Sequence, residues 1–135
     1  MKMQDNINND VEAYGKYRRF FTLSNKLVVA GKNAEQNEKV IAQADKDEYV
    51  LHTKEAGSPF CNIKANKSET NKEDLREAAI FCAKHSQAWK KSKKKTDIEV
   101  HVFLGKDIFK TKDMKLGTFG VRKFTNILVK KEEID

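Results

Sequence analysis

The 135 residues contain one proline, two cysteines and no long run of apolar side chains. Each scarcity closes off a class of protein. A bilayer-crossing helix needs about 20 consecutive apolar residues, and nothing here approaches that length. The leading segment 1-MKMQDNINNDVE-12 lacks the hydrophobic stretch of a secretory signal, so the cytoplasm is the expected compartment. Cys61 and Cys82 are too few and too far apart for a paired-cysteine zinc site. Each falls inside an apolar pattern, which predicts buried reduced thiols and no metal. The three histidines, His52, His85 and His101, are scattered along the chain. No HExxH, GxSxG or tellingly spaced pair of carboxylates accompanies them, so the sequence carries no recognisable catalytic constellation.

What the chain does have is charge. Lys and Arg number 27 against 20 Asp and Glu, for a net charge of +7 and an isoelectric point near 9.3. Such a balance attracts polyanions and says nothing about fold. Eight phenylalanines and clear periodic segments exclude general disorder. The length suits one domain, expected over residues 14–131 after a frayed, polar stretch at 1–13.

Hydrophobic periodicity predicts a hairpin from 17-YRRFFTL-23 and 26-KLVVA-30 about a Ser24–Asn25 turn. A helix follows from the Asn33 cap to about Ala44. Strands are expected at 49-YVLH-52 and 60-FCNIK-64, with Pro59 just ahead of the second, where its missing N–H matters least. Thr70 and Glu73 suggest a capping box for a helix over about 72–91. Its apolar stripe is Leu75, Ala78, Ala79, Cys82, Ser86 and Trp89. The stretch 98-IEVHVFL-104 alternates as a strand, and strand-like pieces lie near 118–121 and 126–129. The order ββ-α-ββ-α-βββ predicts an α+β domain with a mostly antiparallel sheet and two main helices.

Three segments concentrate the positive charge. Between Ala78 and Thr96 there is no acidic residue but six lysines, five of them in 90-KKSKKK-95, including Lys90 and Lys91. A helix C-terminus needs fewer cations than that to complement its dipole. A second cluster holds Lys106, Lys110, Lys112, Lys115, Arg122 and Lys123. The third is Arg18 and Arg19 among Tyr14, Tyr17, Phe20 and Phe21, a mixture able to stack on bases and grip phosphate, though equally suited to an edge strand. At the strand-to-helix corner, Gly31 and Lys32 precede the Asn33 cap. Free amide N–H groups and the positive helix end favour anions there, and Gln36 and Asn37 are within reach of a phosphate or a base edge. An ordinary capped helix explains the same residues.

Four ordered blocks carry a resemblance: 17-YRRFFT-22 with 27-LVVAGKNAEQNE-38, 49-YVLHTKEAGSPF-60, 74-DLREAAIFCAKHSQAWK-90 and 102-VFLGKDIFKTKDMKLGTFGVRKF-124. Together they resemble the NFACT-R domain, the RNA-binding module of NFACT proteins, in its stand-alone archaeal form. The Gly-Lys-Asn-x-x-x-Asn-Glu and His-x-x-x-x-Gly-Ser-Pro-Phe patterns are the most telling. The resemblance implies contact with tRNA or ribosomal RNA in ribosome-associated quality control, with no cofactor and no membrane partner. It makes Lys32, Asn33 and Asn37 a polar corner with His52 and Ser58 nearby, and adds basic contacts from Lys110, Lys115 and Arg122. The alternatives are an RNA-modifying or RNA-processing enzyme built around His52 with His85, and a protein-interaction module docking on an acidic partner.

Overall fold

The computed structural model describes residues 14–134; the fraying expected of residues 1–13 lies outside them. β1 (Arg18–Phe21) and β2 (Leu27–Ala30) form the anticipated hairpin, with Asn25 at φ 68°, a left-handed position that asparagine tolerates better than most side chains. Helix α1 (Ala34–Gln43) leads to β3 (Glu48–Thr53) and β4 (Cys61–Asn66). Helices α2 (Lys72–Lys84) and α3 (Gln87–Lys90) precede β5 (Ile98–Leu104). The chain ends with β6 (Ile108–Phe109), β7 (Gly120–Val121), β8 (Thr125–Val129) and α4 (Lys131–Ile134). Six strands pair antiparallel in the order β1-β2-β4-β3-β5-β8, while β6 and β7 make a separate two-stranded ribbon. The expected α+β class and antiparallel sheet are what the structure has.

Two details differ from expectation. The capping box is made by Asn71 and Asp74, not Thr70 and Glu73: Asn71 Oδ1 accepts from Asp74 N at 2.7 Å, and Asp74 Oδ2 accepts from Asn71 N at 3.1 Å. A 3₁₀ turn over Lys67–Glu69 ends at Thr70, whose hydroxyl donates back to Asn66 O at 3.0 Å, so the cap falls one residue later, while the helix starts at Lys72 as expected. The helix foreseen to Lys91 also breaks at His85. Ser86 Oγ donates to Ala83 O at 2.7 Å and accepts from Trp89 N at 3.2 Å, capping the short α3. Trp89 of α3 is buried, as its place on the apolar stripe predicts.

The sheet is covered on both faces. On one, Val28, Leu51, Ile63, Val100 and Val129 pack under Ala78, Ala79 and Cys82 of α2, Trp89 of α3 and Ile134 of α4. Ile134 is buried, so the packed residues run past position 131. On the other face, Val50 and Phe103 meet Val40 of α1, Phe60 and the ribbon residues Ile108, Phe119 and Val121. Each large aliphatic chain so buried contributes about 1.5–3 kcal/mol. Cys61 and Cys82 are buried and unlinked, and burial pushes the Cys61 thiol well above its usual range. Among the described residues no helix is long and apolar enough to cross a membrane.

Gly31 lies where β2 hands over to α1. A Cβ there would come within 2.3 Å of Asn37 Oδ1 and 2.8 Å of Asn37 N. That closeness is used: Asn37 Oδ1 accepts from Phe60 N at 3.1 Å, joining the first turns of α1 to the approach of β4. Gly31→Ala is expected to break this bond and lower stability by about 1–3 kcal/mol, the cost of orphaning a buried donor. Urea unfolding measures it, and a loss below about 0.5 kcal/mol would mean that the corner relaxes around the methyl.

Candidate nucleic-acid interface

A cavity of about 630 Å3 opens beside this corner. Its walls come from distant parts of the chain. The corner itself supplies Gly31, Lys32, Asn33 and Asn37, and β1 supplies Arg18. The end of β3 gives His52 and Thr53, and the β3–β4 connection gives Lys54 and residues 56–60. The α2–α3 junction contributes His85 and α3 Lys90, β5 adds His101 and Phe103, and the segments flanking β7 complete the enclosure with Phe119 and Phe124. Four cations therefore line it, and no Asp or Glu of the described residues does.

All three histidines meet here, although their sequence positions suggested no grouping. Antiparallel pairing sets His52 directly opposite His101, on the sheet face that α1 and the ribbon cover. His52 Nδ1 lies 2.7 Å from Thr53 O, a carbonyl that can only accept, so Nδ1 carries the hydrogen and Nε2 keeps its lone pair. The His52 ring leans on Phe60 at 4.3 Å. His101 stacks on Phe124 at 3.9 Å and 19°, with Glu99 reaching its Nε2 at 3.6 Å from outside the cavity lining. Burial lowers the His52 pKa, aided by the nearby His101. His85 falls further, to about 4, first through burial and then through the positive charges of Arg18, Lys90 and Lys84. At neutral pH the His85 imidazole is uncharged.

The predicted contact residues divide into two groups. Arg18, Lys32, Asn33, Asn37, His52, Ser58 and Lys90 line the cavity. Arg19, Gln36, Lys91, Lys110, Lys115, Arg122 and Lys123 do not, and several are engaged elsewhere. Arg19 donates to Gly15 O at 3.1 Å, and the Arg122 guanidinium sits 5.0 Å from the centre of the Phe109 ring. Gln36 Oε1 accepts from Lys32 N at 2.8 Å while its Nε2 donates to Lys16 O at 3.2 Å.

The expectation of free amide hydrogens at the glycine needs correction. Gly31 is buried, its N–H donates to Phe60 O at 3.4 Å, and that of Lys32 goes to Gln36. Asn33 caps as expected, accepting from Gln36 N at 2.9 Å, and the Asn37 carboxamide oxygen holds Phe60 N–H. Ser58 is buried, accepting from Thr53 N at 3.0 Å and donating to Pro59 O at 3.1 Å. These polar residues shape the wall, and the neighbouring cations supply its charge.

Lys110 also builds the wall. Its ammonium donates to Glu38 Oε2 at 2.8 Å and to the carbonyls of Lys115 at 2.6 Å and Thr118 at 2.8 Å. Glu38 Oε2 accepts from Gly117 N at 2.6 Å as well, and Gly117 takes a left-handed φ of 79° while lying against Ala34. This network straps the 110–119 segment over α1 and presents Thr118 and Phe119 to the cavity. Lys54, His85, His101, Phe119 and Phe124 were not foreseen as a set. Each falls within one of the four blocks that carry the family resemblance, except His101, and the enzyme alternative pairs His85 with His52, but no local pattern joins them. Among the described residues no group of three or more His, Cys, Asp or Glu is placed to hold a metal ion.

Fold and cavity together describe a small antiparallel α+β domain with a cleft lined by four cations. Residues 16–123 match the family described as the NFACT protein RNA binding domain, and the chain belongs to that family. Over 91 residues, 67% of this chain, it is 38% identical to the archaeal Rqc2 homolog aRqcH of Methanocaldococcus jannaschii. This chain spans only 13% of that relative's length. The C-terminal part of the fibronectin/fibrinogen-binding protein from Streptococcus suis has the same fold, with a TM-score of 0.75 at 22% identity. That match covers 84% of this chain and 45% of that one.

Two outcomes are expected. An NMR titration of His85 should show a midpoint near 4. Because the unfolded chain binds this proton near pH 6.5, the group favours unfolding increasingly as pH falls from about 6.5 to 4. Replacing His85 by Gln should flatten that part of the stability profile. Removing the acceptor by Glu38→Ala should speed amide exchange at Gly117 at least about tenfold, since a hydrogen bond to a charged group contributes about 1.5–3 kcal/mol. Unchanged exchange would show that the strap is held by other contacts.

Proposed function

We propose that this domain binds RNA of the translation machinery, tRNA or ribosomal RNA, through the cation-rimmed cavity, and serves ribosome-associated quality control in the cytoplasm. The observation that carries this reading is the gathering of Arg18, Lys32, Lys54 and Lys90 around one opening that no described carboxylate lines. Lys32, Lys54 and Lys90 are exposed and make no ion pair among the described residues. Four charges left together in this way repel one another, and two of them, Arg18 and Lys90, add to burial in lowering the pKa of His85. A phosphate backbone relieves that repulsion. Membership of an RNA-binding-domain family and the likeness to an Rqc2 homolog support RNA as the polyanion. The lysine run 90-KKSKKK-95 contributes Lys90 to the cavity. Lys95 instead lies over Trp89 at 4.8 Å and donates to its carbonyl.

The convergence of His52, His85 and His101 supports a second reading, in which the same cavity processes or modifies RNA. A neutral imidazole beside bound phosphate is a competent general base. Incubating end-labelled tRNA with excess protein separates the two: RNA recovered unaltered in length and mass removes the second reading.

Four phosphate contacts on single-stranded RNA predict a log–log salt slope of about −3. Lys32→Ala with Lys90→Ala should reduce it to about −1.5, whereas Lys93→Ala with Lys94→Ala should leave it nearly unchanged. Affinity measured between 50 and 200 mM salt decides; equal losses from both pairs would assign binding to a diffuse field instead of the cavity.

A further inference from the structure

We propose that the cavity is a one-nucleotide site, taking a single unstacked nucleotide with its base inside and its phosphate on the cationic rim. This rests on the RNA-binding reading above and adds the size and chemistry of what enters. Backbone contact alone needs only surface lysines, yet here about 630 Å3 lies behind them. That volume falls in the range of about 300–1,000 Å3 usual for sites that enclose a small ligand.

The lining is divided by chemistry. Phe60 and Phe103 are almost fully buried, and Phe60 meets Phe119 edge to face at 5.3 Å and 86°. The inner wall is thus apolar and already packed. His52 adds a planar ring against Phe60 and an Nε2 lone pair with no partner among the described residues, an acceptor for a base amino or imino N–H. Phe124 is backed by the stacked His101 and is 47% exposed, so its outer face is a ready platform for a neighbouring base. The cations stand at the opening: Lys32, Lys54 and Lys90 are exposed, and Arg18 is steadied by donating to Gly31 O at 3.3 Å. A base held in a duplex cannot enter such a space without leaving its stack, so the site selects unpaired nucleotides.

The test uses adenosine 5′-monophosphate, adenosine and inorganic phosphate on the full chain. Calorimetry reads affinity, and NMR follows the imidazole resonances of His52 and His85 and the ring resonances of Phe119. The monophosphate should bind at least about tenfold tighter than inorganic phosphate, the factor that one stacked base supplies, and should shift all three residues. A short single-stranded RNA should displace it, and a blunt duplex of equal length should not. Ala56→Leu adds an aliphatic side chain at an exposed lining position, and should weaken the monophosphate while sparing phosphate.

Several results would overturn the proposal. One is a monophosphate that binds no better than phosphate and moves only lysine resonances; salt-dependent RNA binding would survive it. Equal displacement by duplex would reject selection of unpaired nucleotides. Unchanged monophosphate affinity in the Ala56 variant would place the nucleotide elsewhere. A monophosphate that enters but that no RNA displaces would overturn the RNA source and leave a free nucleotide as the occupant.

Discussion

One hydrogen bond organises the region on which function rests. Asn37 Oδ1 accepts from Phe60 N, and it reaches that partner only because residue 31 has no side chain. The bond ties the start of α1 to the segment entering β4, so the strand-to-helix corner and the 53–60 turn become neighbours. Phe60 is then held between His52 and Phe119, and Ser58 is locked by Thr53 N and Pro59 O. Take the bond away and the two walls have no fixed spacing. The polar residues of this corner are therefore mainly architectural, and a buried amide with one well-placed partner is more costly to disturb than an exposed cation.

The electrostatics follow from that scaffold. Cations from four separate elements share an opening that no described acidic side chain lines, and burial together with the charges of Arg18, Lys90 and Lys84 keeps the His85 imidazole uncharged at neutral pH. Elsewhere some charges are paired: Lys64 with Glu48 at 2.7 Å, Lys110 with Glu38 at 2.8 Å, Arg76 with Glu133 at 3.3 Å. Exposed pairs contribute little to stability, so gathering four cations that have no acidic partner among the described residues costs the fold little and concentrates an attractive field there. The Lys110–Glu38 pair differs in kind, because the same carboxylate also holds Gly117 N and fixes the segment that carries Phe119.

Much of this was readable in the chain. Period-two alternation in 98–104 and the Gly31–Asn33 punctuation located β5 and the start of α1, since strand faces and helix caps depend on residues a few positions apart. Boundaries failed where two local signals competed. Thr70 and Asn71 are both good caps, and the preceding 3₁₀ turn decided between them. Ser86 looked like one more residue of a helical stripe, but its hydroxyl caps a new helix in place of continuing the old one.

By itself the sequence determined the α+β class, the hairpin, the cap at Asn33, the buried cysteines and an excess of positive charge, all properties of composition or of neighbours along the chain. Only the tertiary structure decided which charges act together. His52 and His101 are 49 positions apart yet face each other, because antiparallel pairing relates residues by strand order and register, which no local pattern encodes. Likewise Lys110, grouped by sequence with the contact residues, is held by a carboxylate 72 positions away. A charge's role depends on what it touches, and contact is set by the fold.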